Sequence, residues 1–251
     1  MKPIIISLLL FYTLNAQNVW YVNRDATGAN TGRSWADAWT SLDSSSWGGT
    51  KGINWSVIQA GDTIYINGGT DSVVYTPELG GTPNLGLYIS PDAATEFIGN
   101  PVVVTPSWET GHNGKVVFTT SRNNQLHLLY VRNITNLKFV NLTFMDLREP
   151  TISINGLVLV GDGSNPSYSL CEKIHFDRCS FLGNGRSNLL NFDAVDAHLS
   201  NSRLEYIENN LIDEGDPLTG TGGGGIWTIE NNVIIQRNTN TETDAHRDIV
   251  Q

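Results

Sequence analysis

The chain writes nearly the same six letters twice, I-E-N-N-L-I at positions 207–212 and I-E-N-N-V-I at positions 229–234. Self-similarity at a period of about 20 to 50 residues marks repeat architectures, in which each unit buries its apolar face only against its neighbours. A wider template supports this. Leu137-x-Phe139-x-Asn141-Leu142-x-Phe144 aligns with Ile174-x-Phe176-x-Arg178-Cys179-x-Phe181, with Ala197-x-Leu199-x-Asn201-Ser202-x-Leu204 and with Trp227-x-Ile229-x-Asn231-Asn232-x-Ile234. Each copy reads as an alternating pair of inward residues, a polar corner and a further inward residue. Alternation with period two is the signature of a strand with one buried face. Asn suits the corner because it tolerates left-handed backbone angles and its side chain bonds turn amides.

Stacked coils lie about 4.8 Å apart, so Asn residues at one corner are expected to form a hydrogen-bonded amide ladder. On this reading the second I-E-N-N is the first one coil further on, and Glu208 and Glu230 are adjacent like charges. The step from Ala197 to Trp227 is longer than the step between the two I-E-N-N copies. It requires a bulging loop, with the Gly-rich stretch 220–225 as its expected place. From residue 98 onward, short runs such as P-V-V-V-T, K-V-V-F-T and L-K-F-V-N-L-T-F alternate with Asn, Gly and Asp, without a sustained helical period. The fold class is therefore all-β, a solenoid with its coils over residues 71–251.

Residues 17–70 read differently, as an N-terminal cap and first coil. Five of the seven tryptophans lie here, Trp20, Trp35, Trp39, Trp47 and Trp55. Apolar positions 35, 38, 39 and 42 have helical spacing behind Ser34 as N-cap, which predicts a short helix. Gly61-Asp62 predicts a turn into a strand over residues 63–66. The tryptophans suit a lid over an open end of the core better than sugar-stacking platforms, since large aromatics mainly supply buried area.

Before the cap, residues 1–16 read as a secretory signal peptide. Lys2 gives the positive start, Ile4 to Leu14 the apolar run, and Ala16 the small residue for cleavage. That run is too short to span a bilayer, and no other segment is long and apolar enough. Cys171 and Cys179 read as two small buried thiols rather than a disulfide scaffold. The formal net charge of −10 argues against nucleic acid, because phosphate binding needs clustered Lys and Arg. It leaves an anionic sugar polymer open, since a local basic cleft or a bound cation reverses the field within one site.

W-Y-V (20–22), S-W-A-D-A-W (34–39), A-G-D-T-I-Y-I-N-G-G (60–69) and the coils I-H-F-D-R-C-S-F and I-E-N-N-V-I resemble the right-handed parallel β-helix proteins of the pectate-lyase-like superfamily, over most of residues 18–251. The resemblance implies a three-faced coil, a capped N-terminal end and a substrate groove along one parallel sheet. It does not fix function, because one fold hosts many activities. The final D-A-H-R-D-I-V-Q reads as the start of a strand, which predicts that the chain is the N-terminal part of a longer protein.

Three sets of residues are site candidates. The first is His246-Arg247-Asp248. If Ile249 points inward, His246 and Asp248 share the outward face, where a His beside a carboxylate suits a base or half a metal site. The segment resembles an H-x-D-x-I-Q pattern of sugar-active β-helices, and it equally fits a solvated strand. The second is the acidic loop Asp213, Glu214 and Asp216, whose clustered oxygens suit Ca²⁺ or simply solvent. The third is basic, Lys173 and Arg178 (with Arg186 nearby), either surface residues or a forked grip on a uronate carboxylate. Asn133-Ile-Thr and Asn141-Leu-Thr fit the glycosylation acceptor but read more simply as corners.

The first function expected is an exported polysaccharide lyase, a monomer acting on an acidic glycan by β-elimination at the cell surface or outside the cell. A non-catalytic adhesion or scaffold β-helix is the alternative. A glycoside hydrolase ranks lower, because it needs two carboxylates flanking one bond.

Overall fold

The structure, a computed structural model, describes residues 17–44, 52–76, 87–120, 127–147, 157–161, 171–183, 189–192, 196–206, 218–220 and 226–235. Nearly all of their regular structure is strand, in three large sheets of seven, six and five strands and one of two. Every strand pairing in them is parallel. The chain visits the large sheets in turn. Thr63–Ile66, Ser72–Tyr75 and Leu87–Ile89 lie in the first, second and third sheets, and Val102–Pro106, Lys115–Thr120 and Leu129–Val131 follow in the same order. The cycle continues through Leu137–Val140, Thr143–Asp146 and Val158–Val160. Cyclic visiting with parallel pairing alone is compatible with the expected β-helix. Among the described residues no helix is long and apolar enough to cross a membrane.

The template register matches the pairing. Phe176 lies between Phe139 and Leu199, and Leu199 pairs on to Ile229. Past the corner, Phe144, Phe181, Leu204 and Ile234 align in the second sheet. Phe139 stacks on Phe176 at 4.9 Å, and Phe144 stacks on Phe118 and Phe181 at 5.6 and 5.3 Å. The core is thus a set of side-chain columns running across the strands of each sheet. Each ring meets its counterpart in the next repeat because the chain returns it to the same place.

The twin I-E-N-N is not the repeat step. Residues 229–234 align instead with residues 199–204, and Glu230 pairs with Ser200. Glu208 and the first copy of the motif lie outside the described residues. Hydrophobic alternation sets register, and Leu199 and Leu204 satisfy it without an I-E-N-N.

The corners carry a different ladder from the one expected. Asn141, Arg178, Asn201 and Asn231 all have positive φ, from 50 to 61°. Arg178 therefore takes the same backbone conformation as the Asn corners. The row is tied through backbone: Asn141 N–H donates to Asp177, Arg178 N–H to Ser200, and Asn201 N–H to Glu230, in each case to the carbonyl before the next corner. Side-chain polarity enters one residue later and points inward. Ser202 Oγ accepts from Cys179 N–H at 3.0 Å, and Asn232 Oδ1 accepts from Ser202 N–H at 2.8 Å. Cys179 and Cys171 are buried thiols not joined in a disulfide, and burial pushes Cys179 up to about 12. Asn133 is a buried corner with φ of 60° and Asn141 an exposed one.

The helix expected behind Ser34 does not form; residues 32–40 are bends, a turn and a bridge. Ser34 does cap, since its Oγ accepts from Asp37 N–H at 3.1 Å. The carbonyls of Ala36 and Asp37 are then taken by Gly28 and Gly32 N–H, and Trp39 bridges Val22 in parallel. Tertiary pairing overrides the local period. The helical element in the described cap is one 3-10 turn, Trp55–Val57. Trp20, Trp39 and Trp55 are buried, with Trp20 stacked on Trp39 at 5.2 Å, so these three supply core area rather than exposed platforms. Trp47 lies outside the described residues. The Gly-Asp turn has a clear role: buried Asp62 accepts from Asn18 N–H, Gln59 N–H and the Trp20 indole N–H, joining cap to first repeat.

Phe176 touches both column systems, stacked on Phe139 and edge-on to Phe144 and Phe181. Phe176→Ala is therefore expected to cost about 3–5 kcal/mol. Urea denaturation followed by far-ultraviolet circular dichroism measures it; a loss below about 1 kcal/mol, far short of a core aromatic truncation, would mean the columns are not the core.

Candidate functional site

Corner geometry decides which side chains leave the first sheet outward. A second row of positive-φ residues, Asn136, Lys173 and Asp196 (55 to 57°), precedes the strands that the first row follows. Between them, inward Phe176 and Leu199 fix the parity. His175 and Asp177 therefore point outward, as do His198 and Ser200. Parallel register stacks Lys138, His175, His198 and Thr228 in one outward column, and Val140, Asp177, Ser200 and Glu230 in the next.

The first column and its corner row border a cleft of about 410 Å³. Lys138, Lys173, His175 and His198 line it, with Asp196 the one acid among its lining residues. The imidazoles of His175 and His198 lie face to face, 4.0 Å apart and within 4° of parallel. His175 Nε2 is 2.8 Å from Ser200 Oγ, which donates to Asp177 Oδ1 at 3.2 Å. With that hydroxyl proton directed at Asp177, His175 carries its proton on Nε2, and Nδ1 is the acceptor. His198 Nε2 lies 3.0 Å from Glu230 Oε1.

Asp177 is the electrostatic centre. Its Oδ2 pairs with Lys138 Nζ at 3.2 Å and Arg178 Nη2 at 3.4 Å, and Oδ1 also accepts from Asn201 Nδ2 at 2.9 Å. Burial alone would raise this carboxyl. The hydrogen bonds from Asn201, Lys138 and Ser200, with the Lys138 charge, outweigh burial and hold it at about 2. Burial, then the charges of His198 and Lys138, press His175 down to about 4. At neutral pH the cleft thus holds a neutral His175 acceptor beside cationic Lys138 and Lys173.

Of the residues singled out from the sequence, Lys173 lines this cleft, and Arg178 sits across the same strand on the opposite corner, bound to Asp177. His246, Arg247 and Asp248, the acidic set Asp213, Glu214 and Asp216, and Arg186 lie outside the described residues. Among the described residues no group of three or more His, Cys, Asp and Glu is arranged to hold a metal ion. Sequence reasoning missed Lys138, His175, Asp177 and His198. Their signal was present: His175-x-Asp177 repeats the H-x-D spacing of His246-x-Asp248. Comparison with protein-family models, with curated proteins and with solved structures found no match in any of the three.

The His175 ring is expected to titrate by NMR with a midpoint near 4, with Lys138→Ala and His198→Ala each raising it. Folded His175 refuses a proton that the unfolded chain accepts near about 6.5, so this group contributes stability that is lost as pH falls from about 6.5 towards 4. A midpoint near about 6.5 would mean that the cleft does not hold the ring neutral.

Proposed function

We propose that the chain is an exported, carbohydrate-active protein of the right-handed parallel β-helix class, and that its first-sheet cleft takes an acidic glycan. The observation that carries this reading is the convergence of two Lys and two His on one cleft of a chain with net charge −10. Such a cleft attracts a uronate carboxylate on a chain whose net charge would otherwise repel it. Cyclic visiting of three parallel sheets and the quoted entry motifs support the fold class. The segment 1–16 supports export.

The chemistry best matched is β-elimination. Lys138 and Lys173 neutralise the uronate carboxylate, which acidifies the neighbouring C–H. His198 takes that proton, and Glu230 at 3.0 Å stabilises the imidazolium that forms. The C–H electron pair becomes the new C=C bond as the glycosidic C–O bond breaks, and the leaving oxygen picks up a proton from water. His246 and Asp248, together with Ca²⁺ on Asp213, Glu214 and Asp216, remain part of this proposal as further base and metal candidates. A hydrolase fits less well, because Asp177 is held by two cations and Glu230 by His198.

One observation favours the non-catalytic reading. Lys138 also pairs with Asp177, which it shares with Arg178, and such a shared ion pair suits a polar binding face as well as a reacting one. The test separates the two. Full-length protein is incubated with pectate, alginate and glycosaminoglycans, with and without Ca²⁺, and the ultraviolet absorbance of the unsaturated product is followed. Product is expected, reduced about 10²–10⁴-fold by His198→Ala. Retention on a glycan resin without product supports the binding module; neither result leaves the cleft without a glycan role.

A further inference from the structure

A second cleft lies at the opposite corner, between the first and second sheets, with a volume of about 710 Å³. Trp108, Lys115 and Arg178 line it, with Asp71 as the single acid of its lining. Trp108 is 74% exposed and is the one aromatic among the large exposed apolar side chains of the described residues. An indole left in water loses the burial that normally accompanies a side chain of its size.

The loop that carries Trp108 is firmly held. His112 stacks on Trp35 at 4.1 Å, and its Nδ1 is 3.0 Å from Asn67 Oδ1. The Trp35 indole N–H donates to Glu109 at 2.8 Å. Gly68 N–H donates to the His112 carbonyl, and Gly114 N–H to that of Gly69. A Cβ on Gly68 would lie 1.8 Å from the Gly114 carbonyl oxygen, so the two backbones are in direct contact. The indole is therefore presented by a braced loop, which lowers the ordering cost of binding.

From these features we infer that this corner is a second carbohydrate site, in which Trp108 stacks on a pyranose face and Arg178 and Lys115 receive its carboxylate or sulfate. The inference rests on the glycan reading above but uses a separate set of residues. A flat aromatic face suits the axial C–H groups of a sugar ring, and the Arg fork suits a planar carboxylate. Polar side chains such as Asn113 and Ser180 complete the lining and supply hydrogen-bonding groups for sugar hydroxyls. Asp177 joins the two sites, since its Oδ2 holds both Lys138 of the first cleft and Arg178 of the second.

Calorimetric titration of the full chain with oligogalacturonate, oligoalginate and heparan sulfate fragments, against a neutral dextran control, tests this. The wild type is expected to bind at least one anionic fragment at two sites. Trp108→Ala and Arg178→Gln each weaken one of them at least tenfold, with circular dichroism unchanged because both side chains are exposed. Lys138→Ala weakens the other. Titrations of Trp108→Ala and Arg178→Gln that match the wild type overturn the second site; if Lys138→Ala still weakens binding, the first-cleft reading stands. The reverse pattern removes the first cleft and leaves the second. No anionic fragment bound by the wild type overturns both, and equal binding of dextran overturns the role given to the two cations.

Discussion

Every described first-sheet strand of the central repeats is bracketed by two residues with left-handed backbone angles, and the rest of the structure depends on that bracket. Lys173 and Arg178 enclose one such strand at φ of 55°, and Asp196 and Asn201 enclose the next at 56 and 50°. A left-handed residue turns the chain sharply, at a cost of roughly 1–2 kcal/mol for most L-residues and less for Asn and Asp. Two of them at fixed separation set the length of the strand and the parity of its side chains. With Phe176 and Leu199 inward, the imidazoles of His175 and His198 can only stack outside. The hydrophobic columns and the outer polar columns are two results of one backbone constraint.

That constraint explains what could be read in the sequence. The template aligned four repeats correctly because apolar alternation and a polar corner are both local signals. It also identified the corner residues, including Arg178, although their ladder runs through backbone instead of side chains. The I-E-N-N twin misled because register follows apolar alternation, which Leu199 and Leu204 satisfy without those letters. The cap helix misled for a related reason: residues 35–42 have helical spacing, but Trp39 found a strand partner in Val22 that no local pattern reveals.

The cleft was harder to read than the fold. Lys138, His175 and His198 are widely and unevenly spaced along the chain, and they meet because the repeats that carry them differ in length. Only the register brings them together, since they occupy the same template position. The charged tail at 246–248 holds an H-x-D beside an extra Arg, and so stood out over the quieter H-x-D at 175–177. The resulting site is neutral at its centre and cationic at its rim, an arrangement that depends on Asp177 remaining ionised while His175 does not.

The touching backbones of Gly68 and Gly114 carry a consequence for how such a protein can diversify. A side chain at either position would strike the other's carbonyl, at 1.8 or 2.2 Å, so neither can be exchanged without moving the facing segment. The two glycines form a fixed hinge pin between distant stretches of sequence. Change is confined to the tip the pin supports, where position 108 can be varied without disturbing the stack beneath. A substitution at the tip is therefore expected to leave the brace intact, whereas a side chain on either glycine would force the two stretches apart.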